Sequence, residues 1–122
     1  MQTKKILIVD DDIRFRGYVK ELLSSEKDLH IIGEAANGKE ALCKAKELKP
    51  DLVLMDISMP WMSGLDATRQ LKKMMPELAI IILTIYDLVA YREAAMARGA
   101  TAYVPKKDMM KELLPAIRMA LS

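Results

Sequence analysis

Short runs that are apolar at every position alternate along this chain with stretches that are apolar on one helical face only. Ile6-Leu7-Ile8-Val9, Leu52-Val53-Leu54-Met55 and Ala79-Ile80-Ile81-Ile82-Leu83 have no polar member, as strands covered on both faces of a parallel sheet require. Between such runs, Phe15, Tyr18, Val19, Leu22 and Leu23 recur at helical spacing and leave Arg14, Lys20 and Glu21 for water. The alternation predicts five βα units of an α/β fold, a parallel sheet with crossover helices. Strands are expected at Lys5–Asp10, His30–Ala35, Leu52–Asp56, Ala79–Thr84 and Ala102–Val104, the shorter ones at the sheet edges. A second helix is expected at Gly38–Leu48, opened by the Asn37-Gly38 turn signal and stopped by Pro50. It turns Ala41, Leu42, Ala45 and Leu48 inward, with Cys43 beside that face. A third covers Gly64–Met75 before Pro76, and a fourth Leu88–Arg98 before Gly99. The fifth covers Met109–Leu121, with Met110, Leu113, Leu114 and Ile117 aligned and Pro115 placed to kink it.

The 122 residues suit one domain, 1–122, and no linker, repeat or low-complexity tract divides them. Nineteen Lys and Arg against 17 Asp and Glu leave a formal charge of +2. That is too little for an electrostatic nucleic-acid module, so direct nucleic-acid binding by this chain is not expected. The lone Cys43 forms no internal disulfide, and the first segment lacks a signal-peptide core, so a cytoplasmic location is expected. Charged residues or Pro interrupt every apolar run, and no membrane span is expected.

The informative polar residues stand where apolar runs stop. Asp10 and Asp11 follow the first run and Asp56 follows Leu52 to Met55. If these two strands are neighbours, the carboxylates crowd into one pocket, and their repulsion must be relieved by protonation or by a bound cation. Plainer roles are open to each alone: Asp10 and Asp11 as caps of the first helix, Asp56 as a loop acid. Thr84 could simply close a strand, Tyr103 be a half-buried edge aromatic, and Lys106 a solvated member of the Lys106-Lys107 pair. His30, at the start of the second strand, lies at the wrong end for chemistry.

Taken in order, Val9-Asp10-Asp11, Met55-Asp56-Ile57-Ser58-Met59-Pro60 with Gly64, Leu83-Thr84, Gly99-Ala100 and Tyr103-Val104-Pro105-Lys106 resemble a response-regulator receiver domain of two-component signalling. The resemblance covers nearly the whole chain. It implies a flavodoxin-like doubly wound five-stranded sheet of order 2-1-3-4-5 with five helices, and a crevice between the first and third strands. It also implies that Asp56 accepts a phosphoryl group from a sensor histidine kinase or phosphotransfer protein. Mg²⁺ would be held by Asp11, Asp56 and the Ser58 backbone carbonyl, with Asp10 acting through water. Lys106 would pair with Asp56 at rest and hold the phosphoryl oxygens afterwards. Thr84 would bond another phosphoryl oxygen and let Tyr103 turn inward, altering a face that includes Tyr91, Arg92, Lys107 and Lys111. Homodimerisation on phosphorylation, slow self-dephosphorylation and control of an output, transcription foremost, belong to the same expectation.

Some positions depart from the family pattern. Pro usually follows the pocket lysine, whereas here Pro105 precedes Lys106 and Lys107 follows it. A cis Lys106-Lys107 bond would cost about 2.5 to 4 kcal/mol and is not assumed. Ile85-Tyr86-Asp87 after Thr84 places bulk where many receivers have a small residue, and leans toward receivers joined to LuxR-type helix-turn-helix domains. Trp61 puts a large aromatic on the loop after Asp56, as a shield, a partner contact or a packed lid. Two other classes stand beside the receiver: an interaction module that works without phosphorylation, and a hydrolase or nucleotide-binding protein. No glycine-rich phosphate loop follows the first strand, and the Asp10/Asp12 spacing of an aspartyl phosphatase lacks its hydroxyl-rich continuation.

Overall fold

A computed structural model describes residues 2–122. Strands β1 (Lys4–Val9), β2 (Leu29–Ala35), β3 (Leu52–Met55), β4 (Ala79–Thr84) and β5 (Ala102–Pro105) alternate with helices α1 (Ile13–Leu23), α2 (Gly38–Leu48), α3 (Gly64–Met74), α4 (Val89–Ala97) and α5 (Met109–Leu121). The sheet is parallel throughout, in the order β2-β1-β3-β4-β5 expected for a flavodoxin-like fold.

Successive strand residues point to opposite faces, and each face has its own core. Leu7, Val9, Val53, Met55, Ile80 and Ile82 meet Ala41 and Ala45 of α2, Ala67 and Leu71 of α3, and Ala95 of α4. Ile6, Ile8, Leu52, Leu54, Ile81 and Leu83 meet Val19 and Leu23 of α1 and Leu113 and Ile117 of α5. The uninterrupted apolar runs are therefore the strands with helices on both sides.

Three expectations about packing are corrected. Strand length does not sort edge from centre: β3, with four residues, is the middle strand, and β2, with seven, is an edge. Tyr18 is 63% and Met110 72% exposed, both lining a surface groove with Glu21 and Leu22, while Met109 takes the buried place at the start of α5. Asp12, rather than Asp10 or Asp11, caps α1, its Oδ1 accepting from the N–H groups of Arg14 (2.9 Å) and Phe15 (3.4 Å). Helix α5 runs on through Pro115, and no peptide bond among the described residues is cis. Among them, no helix is long and apolar enough to cross a membrane.

Candidate functional site

The β1–β3 register pairs Val9 with Met55, so the residues just past both strands face one another at the C-terminal edge of the sheet. Main-chain hydrogen bonds hold them there: Asp10 N–H to the Ala35 carbonyl and Asp56 N–H to the Val9 carbonyl, each 3.0 Å. Asp10, Asp11 and Asp56 each place a carboxylate oxygen within 4.8 Å of the others, Asp10 and Asp56 buried and Asp11 exposed. Three hard oxygen donors at that separation fit a divalent cation such as Mg²⁺. Ser58 is exposed on the loop that follows Asp56.

Gly64 allows this loop to close. A Cβ there would stand 1.8 Å from the Asp56 carbonyl oxygen, and the Gly64 N–H donates to the Ile57 carbonyl at 2.8 Å.

Lys106 leaves β5 beside this cluster, its ammonium 2.7 Å from Asp10 Oδ2 and 3.9 Å from Asp56 Oδ2. Its nearer partner is thus Asp10, and the expected resting pair with Asp56 is the longer of two ion pairs. The ammonium also lies 3.8 Å from the centroid of the Phe15 ring, a cation–π contact. Both Asp10 oxygens are engaged, since Oδ1 accepts the Asp12 N–H at 2.9 Å. That engagement fits a role through water. Asp56 Oδ1 accepts the Ile57 N–H at 2.8 Å.

Burial pushes the Asp56 carboxyl up from 3.8 to about 6; Lys106 pulls it down, Asp10 pushes it up, the Ile57 N–H lowers it and Asp11 raises it. At neutral pH the group is therefore chiefly ionised and needs no base to act as a nucleophile.

Thr84 closes β4 opposite Pro105, fully buried, and its Oγ1 accepts the Tyr86 N–H at 3.4 Å. Tyr103 is already inward: it is 4% exposed, its hydroxyl donates to the Tyr86 carbonyl at 2.6 Å, and Arg92 lies 4.8 Å over its ring. The inward turn reserved for the switched form is the orientation this structure holds. Asp87 and Lys107 bridge the two loops at 2.8 Å, and Tyr86 stacks on Tyr91 with centroids 4.8 Å apart. Trp61 is 82% exposed with φ +69°, so it is not a packed lid.

The sequence matches the family model of the response regulator receiver domain over residues 6–118. The chain belongs to the response regulator receiver family. The response regulator protein VraR of Staphylococcus aureus is 42% identical over 118 residues, which are 95% of this chain and 56% of that protein. The chain thus spans about half the length of the curated relatives it matches. A LuxR-family two-component response regulator from Aurantimonas superposes with a TM-score of 0.94 at 32% identity, covering 98% of this chain and 86% of that one. A LuxR-family DNA-binding response regulator from Staphylococcus aureus does so with a TM-score of 0.90 at 28% identity, covering 98% and 99%.

Within this receiver, sequence reasoning missed the place of Phe15 at the site. Its spacing places Phe15 on the core face of the first helix, and nothing in one sequence shows that its ring also meets a lysine ninety-one positions on. Asp12 carried a usable signal, a cap-forming residue immediately before the helical run.

The raised Asp56 carboxyl has a consequence for stability. Unfolded and folded receiver titrate near 3.8 and 6, so between those values the fold holds a proton that the unfolded chain has lost. Stability therefore falls as pH rises across that window, and the cost is complete above it. Asp56→Asn is expected to be more stable than the native chain in EDTA by about 2 kcal/mol at pH 7.5, shrinking toward zero by pH 4. Urea denaturation at both pH values measures it; an advantage independent of pH would contradict the assignment.

Proposed function

We propose that this receiver takes a phosphoryl group on Asp56 from a phosphohistidine of a sensor histidine kinase or phosphotransfer protein, with Mg²⁺, and relays the change to an output. The observation that supports this most directly is the meeting of Asp10, Asp11 and Asp56 oxygens within 4.8 Å beside the Lys106 ammonium. Asp56 Oδ1 accepts the Ile57 N–H and keeps a lone pair for the cation, while Oδ2, on the Lys106 side, would be the attacking atom. Its bond to phosphorus forms as the phosphorus–nitrogen bond breaks, and the electron pair stays on the leaving imidazole. Asp11, Asp56 and the Ser58 carbonyl, with Asp10 through water, would hold Mg²⁺, whose charge would neutralise the phosphoryl oxygens. Lys106 leaves Asp10 to hold one of those oxygens as a point charge. The Thr84 hydroxyl, whose oxygen only accepts here, is available to donate to another.

The switch requires the phosphoryl group to interact unequally with two arrangements of the Thr84 loop. That loop is tied to β5 by Tyr103, to the turn after β5 by Lys107 and to α4 by Tyr91. Ile85, 69% exposed beside Thr84, adds bulk that slows attack of water and so self-dephosphorylation. The likeness to DNA-binding LuxR-family regulators supports transcription as the output, with homodimerisation on phosphorylation as the route.

Intact mass after incubation with acetyl phosphate is the test. A labile phosphoryl adduct on the native chain, lost in Asp56→Asn and without Mg²⁺, is expected. Absence of any adduct, with beryllofluoride also failing to bind, would leave the phosphorylation-independent interaction module as the better reading.

A further inference from the structure

We infer that Arg16 is a positioning residue of the acidic pocket, clamping the peptide between Asp10 and Asp11 and thereby setting how tightly the site holds a divalent cation. The inference rests on the reading of this pocket as a Mg²⁺ site. Arg16 lies in the first turn of α1, with its side chain 13% exposed. Its Nε donates to Glu34 Oε1 at 2.8 Å, and its terminal nitrogen donates to the main-chain carbonyl of Asp10 at 2.5 Å. That carbonyl belongs to the peptide unit whose nitrogen is Asp11's, so one guanidinium fixes the plane that joins two candidate ligands.

Asp11 depends on this plane more than its neighbours do. Asp10 is held through both carboxylate oxygens, by the Asp12 N–H and by Lys106, and Asp56 through the Ile57 N–H. Asp11 is exposed, and its approach to Asp56 is set by the backbone on which it sits. Rotating the Asp10–Asp11 peptide would carry its carboxylate away from the other two.

The far end of the clamp is itself fixed. Glu34, on edge strand β2, accepts Lys20 Nζ on Oε2 at 2.8 Å, and its carbonyl accepts from Lys44 Nζ. Lys20 first and Arg16 after it hold the Glu34 carboxyl below the usual carboxylate range, so it stays ionised wherever the receiver works. A guanidinium suits the task because its planar fork reaches two oxygens at fixed separation, which an ammonium does not.

The test is calorimetric Mg²⁺ titration of the native chain, Arg16→Ala, Arg16→Lys and Glu34→Gln, with the melting temperature of each and its acetyl phosphate rate at saturating Mg²⁺. Arg16→Ala is expected to weaken Mg²⁺ about tenfold, the range found when groups behind metal ligands are removed. Arg16→Lys recovers part of this, Glu34→Gln loses less than Arg16→Ala, and the rate at saturating Mg²⁺ changes less than the affinity does. A lowered melting temperature with Mg²⁺ affinity unchanged would make Arg16 merely structural and overturn the inference. If Arg16→Ala does not fold, Arg16→Lys decides: an affinity equal to the native overturns it, and a drop of about threefold supports it. A native chain that binds no Mg²⁺ would overturn the pocket reading itself, a failure separate from that of Arg16.

Discussion

Replacing Lys106 by Met is expected to slow the proposed phosphoryl transfer to Asp56 about a hundredfold while making the proposed Mg²⁺ site bind more tightly. The slowing follows from loss of a preorganised positive charge where charge develops on the phosphoryl oxygens, where removing one such group typically costs about a hundredfold or more. The tighter metal binding has the opposite sign because the ammonium, 2.7 Å from Asp10 and 3.9 Å from Asp56, competes with any cation for the same carboxylates. Lys106 also holds the Asp56 carboxyl down against burial, so in the variant it rises beyond about 6, and the comparison belongs at pH 8, where both forms are ionised. In EDTA the variant loses stability by about 3 kcal/mol, the cost of stripping one partner from a buried pair. Acetyl phosphate kinetics and calorimetric Mg²⁺ titration read the two effects; a fall in both rate and metal affinity would mean that Lys106 shapes the loop rather than supplying charge.

Gly64→Ala is expected to be the most disruptive single methyl group in the chain. A Cβ at Gly64 would stand 1.8 Å from the Asp56 carbonyl oxygen, 2.7 Å from its carbon and 3.0 Å from Ile57 Cα, all main-chain atoms that have no rotamer to escape into. Either α3 or the Asp56 segment must shift, at a cost of about 3 kcal/mol in urea denaturation, and the proposed adduct formation on Asp56 is expected to be lost with it. Gly17→Ala is the control. Nothing lies within 4 Å of a Cβ there, and a mid-helix glycine gives up stability, so that change is expected to add about 0.5–1 kcal/mol. Comparable losses at both positions would show that the Gly64 contact is not the cause.

The acidic trio was legible because sheet geometry links neighbouring parallel strands to a shared edge, and runs such as Leu52 to Met55 name their strands by composition alone. Burial, though, follows composition and not length. The acid at Asp56 cuts β3 short although it lies in the middle, whereas His30, Gly33 and Glu34 mark β2 as the edge better than its seven residues do. Helical periodicity located the faces of α1 and α5 but not their width, so Tyr18 and Met110, at the margins, fell outside the core. The partner of Lys106 was out of reach for a different reason. A four-carbon chain can serve either of two carboxylates, and nothing in one sequence says which of Asp10 and Asp56 lies nearer its ammonium. Arg16 was hidden similarly, since its two oxygens come from a strand edge and a main-chain carbonyl.

Trp61 is the only tryptophan in the chain, and it stands in water on the loop after Asp56. Its fluorescence is therefore already red-shifted in the native protein, and unfolding moves the emission maximum very little. A denaturation curve followed by that wavelength would look like that of an unstable or unfolded chain, whatever the true stability of the core. The same indole reports the loop after Asp56 with no background from any other, so intensity changes on adding ligands can be assigned to one place without a label.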